Sequence, residues 1–94
     1  MAKLSEEDLV QLEENAALMF SVKEIAIIIG CQLAELTYLV TEESSPEYTY
    51  FNRGRLKAEA SVRKSIYDLA QNGSSPAQSQ FLELIENAKL DDAL

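Results

Sequence analysis

The side chains best placed to do chemistry in this chain are Gln32, Ala34, Thr37 and Tyr38, and that chemistry is recognition rather than turnover. Glutamine amides and threonine hydroxyls can bond base edges in a DNA groove, and small apolar groups can touch a thymine methyl. Leu33 and Thr41 fall in the same stretch. Turnover has little to draw on. The chain holds no histidine, so imidazole acid–base chemistry and histidine metal sites are absent. Its single cysteine, Cys31, cannot form a thiolate cluster or an internal disulfide, and no Gly-rich phosphate loop occurs. The adjacent carboxylates Glu13-Glu14, Glu42-Glu43 and Asp91-Asp92 point in different directions on a helix, so they read as solvated faces. The sequence therefore predicts a non-enzymatic protein without cofactor or metal.

The elements that must position these residues are helices. The window from Val22 to Thr41 has the pattern of a DNA-binding helix-turn-helix. Ala26 is the small residue where two helices cross, and Gly30 suits a left-handed turn. Leu36, Leu39 and Val40 give the second helix an apolar foot, which leaves Gln32, Leu33, Ala34, Thr37, Tyr38 and Thr41 free to reach a groove. Cys31 reads as a buried small hydrophobe. The alternative is a helical hairpin that makes no DNA contact.

Around this window the punctuation is sharp. Ser5 with Asp8 forms a capping box, and Leu4 with Leu9 a hydrophobic staple, so a first helix runs from about Glu6 to Met19. Its apolar stripe is Leu9, Leu12, Ala16, Met19 and Phe20. Ser21 with Glu24 opens a second helix, Val22 to Ile29, with Ile25, Ala26, Ile28 and Ile29 mostly in the core. A third spans about Leu33 to Glu43. Ser45-Pro46 opens a fourth, which ends near Gln71 before Asn72-Gly73. Ser75-Pro76-Ala77-Gln78 opens a fifth, with Ser75 as its cap, and the tail KLDDAL is expected to fray. The fold class is all-α: a helix-turn-helix three-helix unit, residues 1–45, followed by a long helix and a C-terminal helix, residues 46–94, forming one compact domain.

Charge qualifies this reading. The net charge is −8, which opposes non-specific binding to nucleic acid. Positive charge concentrates in residues 51–64, where Arg53, Arg55, Lys57, Arg63 and Lys64 face Glu59 alone. Arg53, Lys57 and Lys64 fall within about 40° on a helix and could hold phosphates, as could Lys23. The competing expectation is that these cations pair with the acidic helices of the same or a neighbouring chain. Arg55 falls among apolar residues beside Tyr48, Tyr50 and Phe51, which predicts a carboxylate partner, either inside the bundle or across a subunit interface. Gly54 predicts close approach of another helix or a kink. The fourth helix is too long to bury itself against three short ones, which predicts a partner chain.

The run from Tyr50 through Ile85 resembles the segment after the helix-turn-helix in phage terminase small-subunit-like proteins. The residues that carry the likeness are Tyr50, Gly54, Arg55, Arg63, Tyr67, Ala70, Gly73, Pro76 and Phe81. With Val22–Thr41, it covers roughly residues 18–88. The resemblance implies a DNA-recognition domain followed by oligomerisation helices. It also implies a non-enzymatic ring that binds double-stranded packaging-initiation DNA and regulates a large terminase subunit carrying ATPase and nuclease activities. The chain departs from that pattern at its end, ENAKLDDAL, which lacks an Arg-Leu-Gly-Trp-like close, and in a recognition helix without Lys or Arg. The expected partners are double-stranded DNA, further copies of the chain and a large terminase subunit, with no membrane. The expected location is the cytoplasm of a bacterial host. The rival expectation is a helical interaction and oligomerisation module that binds no DNA.

Overall fold

The computed structural model describes residues 4–93, which form five helices: α1 (Glu6–Ala17), α2 (Val22–Ile29), α3 (Leu33–Thr41), α4 (Pro46–Gln71) and α5 (Ser75–Ala93). The protein is all-α. Among the described residues no single helix is long and apolar enough to cross a membrane. The chain divides into two compact units, Met1–Ala58 and Glu59–Leu94, and α4 contributes to both. The division thus falls inside α4, whereas the pattern of caps and turns in the sequence suggests a boundary at residue 45.

In the Met1–Ala58 unit the helix starts follow from their caps. Ser5 Oγ accepts from the Asp8 amide at 3.1 Å, and the Asp8 carboxylate accepts from the Ser5 amide. Ser21 and Glu24 repeat the arrangement at α2. Each box satisfies two amides that the first helical turn leaves without partners. Between α3 and α4 one hydroxyl serves both elements. Ser45 Oγ donates to the Leu39 carbonyl and accepts from the Tyr48 amide.

The core of this unit is Leu9, Leu12 and Ala16 of α1, Ile25 and Ala26 of α2, and Leu36 and Val40 of α3, with Tyr50 and Phe51 of α4 packed against it. Those positions recur at helical spacing on each element, so one apolar stripe per helix closes the core. Chain direction turns by 119° between α2 and α3. The Ala26 carbonyl accepts from the amides of both Gly30 and Cys31, and Gly30 has φ +87°, a left-handed conformation that glycine adopts without strain.

Three expectations need correction here. The first helix ends at Ala17, not Met19. Met19 has φ +66°, and the Phe20 amide returns to the Asn15 carbonyl while the Met19 amide bonds Ala16. That is a Schellman turn with methionine in the left-handed position. It lifts Met19 out of the core stripe to 61% exposure and leaves Phe20 at 38%. Ile28 is likewise exposed rather than core, because the face of α2 that meets the core is Ile25 and Ala26, flanked by half-buried Val22 and Ile29. The third helix stops at Thr41, since Glu42 is already extended at ψ 106°.

In the Glu59–Leu94 unit, the C-terminal part of α4 and α5 form a helical hairpin. The rings of Tyr67 and Phe81 meet edge to face with centroids 5.3 Å apart. Gln78 Nε2 donates to the Ala70 carbonyl at 3.1 Å, sharing that acceptor at the end of α4 with the Gly73 amide. The cap of α5 is Ser74 rather than Ser75: Ser74 Oγ accepts from the Ala77 amide. Pro76 still falls in the first turn, where its missing N–H removes no helical bond. The tail expected to fray continues as helix to Ala93, and Leu94 lies outside the described residues.

Candidate nucleic-acid interface

Leu36, Leu39 and Val40 bury one side of α3. Their anchoring turns Ala34, Thr37, Tyr38 and Thr41 outward together, within an arc of about 100° on the opposite side. All four are exposed, as are Gln32 and Leu33 at the start of the helix. Gln32 is the N-cap of α3 but makes no side-chain capping bond, so its amide stays available. The Thr41 hydroxyl is turned inward and donates to the Thr37 and Tyr38 carbonyls. The outward face of α3 is therefore uncharged, with a glutamine, a threonine and a tyrosine as its hydrogen-bonding groups. Cys31, expected to be buried, is half-buried at its edge. Burial pushes its thiol above the ordinary range, and Glu35 and Asp8 add to the rise.

The cations expected at phosphates divide into three cases. Lys23 is exposed on α2 and has no ion pair among the described residues. Arg53 and Lys57 converge on one carboxylate, Glu13 of α1: Lys57 Nζ lies 2.8 Å from Oε2 and Arg53 Nη1 3.4 Å from Oε1. The Arg53 guanidinium also covers the Tyr50 ring at 5.0 Å. Lys64 belongs to the Glu59–Leu94 unit, where it pairs with Asp68 at 3.7 Å.

Within its own chain Arg55 meets a carbonyl rather than the carboxylate expected inside the bundle: Nη2 donates to the Phe20 oxygen at 2.8 Å, and the guanidinium lies 4.7 Å from the Phe51 ring centroid. The Schellman turn after α1 leaves the Phe20 carbonyl outside the helical ladder, and Arg55 reaches it from α4. Its Nε is buried without a partner. Gly54 meets its expectation of close approach, because α1 crosses α4 directly over it.

Two charged residues escape a reading of the sequence. Glu13 looks like one of two solvated neighbours, yet its side chain is only 18% exposed and holds both α4 cations. No local signal marks it, because its partners lie far along the chain. Glu47, in the first turn of α4, is buried with Oε2 unpartnered. An acid there looks like an ordinary partner of the helix dipole. Among the described residues no cluster of three or more metal-ligating side chains occurs. Comparison with protein-family models, curated proteins and solved structures yields no match.

Proposed function

We propose that this chain is a non-enzymatic DNA-binding protein of helix-turn-helix type, of the phage or prophage small-terminase kind, acting as an assembly of identical copies alongside a large terminase subunit. The observation that carries the reading is the outward face of α3. A short helix set at 119° to its predecessor across a glycine turn presents Gln32, Ala34, Thr37 and Tyr38, with no charge among them. The angle agrees with that between the two helices of a helix-turn-helix. Residues of this kind can contact base edges without the general phosphate attraction that a basic helix brings. The electrostatic contribution must come from elsewhere, since each copy carries a net −8. Lys23, Arg53 and Lys57 supply it weakly per copy, and several copies on one duplex multiply it. The terminase assignment rests on the resemblance between residues 18 and 88.

A second reading is favoured by Glu13. Because it engages both Arg53 and Lys57, those cations are satisfied without DNA, as an interaction module would have them. One experiment separates the readings: duplex binding followed by fluorescence anisotropy at low salt, on a sample whose mass is measured in parallel. DNA recognition predicts salt-dependent binding that is lost in Thr37→Ala/Tyr38→Ala. No binding at low salt by the assembled protein overturns it. Crosslinking through Tyr38→Cys in a Cys31→Ser background then reports whether assembly covers α3.

A further inference from the structure

Among the described residues of the Glu59–Leu94 unit, Ala77 is the one buried hydrophobic side chain. A two-helix hairpin with so little apolar burial cannot offset the entropy of ordering it. Its apolar side chains remain in water: Val62 and Leu69 on α4, and Leu82 and Leu90 on α5, are each more than half exposed. Between the two helices runs a groove of about 480 Å³, lined by Tyr67, Phe81, Leu84 and Ile85 and by the cations Arg63 and Lys64, which are both exposed.

We infer that this groove is an interface for a second copy of the chain, and that its occupant is the outer ridge of the second copy's α5. On α5, Leu82, Glu86 and Leu90 follow one another at four-residue spacing, so they form a single ridge. All three are exposed. Two leucines match the apolar lining of the groove, and the carboxylate between them matches its cations. Charge favours the same pairing, since α5 carries Glu83, Glu86, Asp91 and Asp92 against Lys89. The groove's cations are free to exchange partners. Arg63–Glu59 at 3.6 Å and Lys64–Asp68 at 3.7 Å are exposed pairs on adjacent turns of one helix, and such pairs hold weakly.

The inference rests on the reading of the chain as self-assembling, but its test uses no DNA. The full chain is measured by sedimentation equilibrium, alone and as Lys64→Glu and Glu86→Lys. Both positions are exposed, and circular dichroism verifies that the helices persist. Each variant is expected to raise the dissociation constant on the order of tenfold or more, and an equal mixture of the two to restore assembly, because unlike charges then face each other. A wild-type chain that stays monomeric overturns self-assembly as a whole. An assembly indifferent to both variants, or variants that the mixture fails to rescue, overturns this groove and leaves self-assembly standing. DNA binding is measured separately, so failure of the groove and failure of DNA recognition remain distinguishable.

Discussion

Gly54 of α4 lies directly against the backbone carbonyl of Glu13 on α1. A Cβ at Gly54 would overlap that oxygen and would stand 2.9 Å from the Ala16 Cβ and 3.1 Å from the Ala17 amide. Two of these three atoms belong to backbone, so the obstacle cannot rotate away. Gly54→Ala gains about 1 kcal/mol of helix propensity. Overpacking of a close contact costs about 1–3 kcal/mol and more where backbone must shift. The expected outcome is a net loss of about 1–2 kcal/mol, read as a lower urea midpoint at unchanged slope.

The same crossing brings Glu13 under Arg53 and Lys57. Both cations are about half exposed or more, so the pairs contribute little to folding, roughly 0–1 kcal/mol each. Their larger effect is on the charge that α4 offers to a phosphate. Glu13→Gln removes the shared counter-ion and leaves two cations free. It is expected to tighten duplex binding on the order of tenfold at low salt and to steepen the salt dependence, with a melting temperature close to wild type. A variant that binds DNA no better than wild type would show that these cations do not face phosphate.

At the other end of α1, Met19 occupies a left-handed position that disfavours any side chain with a Cβ. Its side chain is 61% exposed, so little packing compensates. Met19→Gly relieves the strain and costs chain entropy in the unfolded state, for a net gain of about 0.5–1 kcal/mol. Thermal and urea melts should both shift upward. A downward shift would mean that Met19 makes contacts its exposure hides.

Glu24 contributes to the acid sensitivity of the fold through its capping bond. The Ser21 amide donates to its carboxylate at 2.9 Å, and this bond first, then the neighbouring Ser21 hydroxyl, hold its pKa below the ordinary glutamate value. Between the two values the unfolded chain binds more protons than the folded one, so stability rises with pH across that window. The contribution is complete above the ordinary glutamate value and lost as pH falls through the folded one. Glu24→Gln should be less stable than wild type near neutrality, and its melting temperature should fall less between about pH 6 and pH 3. Equal acid sensitivity in the two proteins would assign that sensitivity to other carboxylates.

Helix starts were legible in the sequence because a cap is a local device: Ser5 with Asp8 and Ser21 with Glu24 act within one turn. So were the apolar foot of α3 and the close crossing at Gly54, which depend on spacing and on a missing side chain. Helix ends were less so. Nothing in Leu18-Met19-Phe20 announces a left-handed methionine, and adjacent Ser74 and Ser75 offer two equivalent caps until the turn at Gly73 selects the first. The electrostatic partners were the least legible. Glu13 and Arg55 each meet a group distant in sequence, and Arg55 takes a carbonyl that lies open to it because α1 ends before Phe20. At the candidate interface the outward set on α3 followed from periodicity. The fate of the cations depended on tertiary packing that no local pattern encodes.

The hydroxyl of Ser45 carries one further consequence. It donates a hydrogen bond to the Leu39 carbonyl at the end of α3 and accepts one from the Tyr48 amide at the start of α4. Aspartate, a strong helix starter, accepts but when ionised has nothing to donate, so it would serve α4 and abandon α3. A group that only accepts would therefore suit the α4 dipole while leaving the last turn of α3 short of a donor, so the joint between the two helices depends on a side chain that does both.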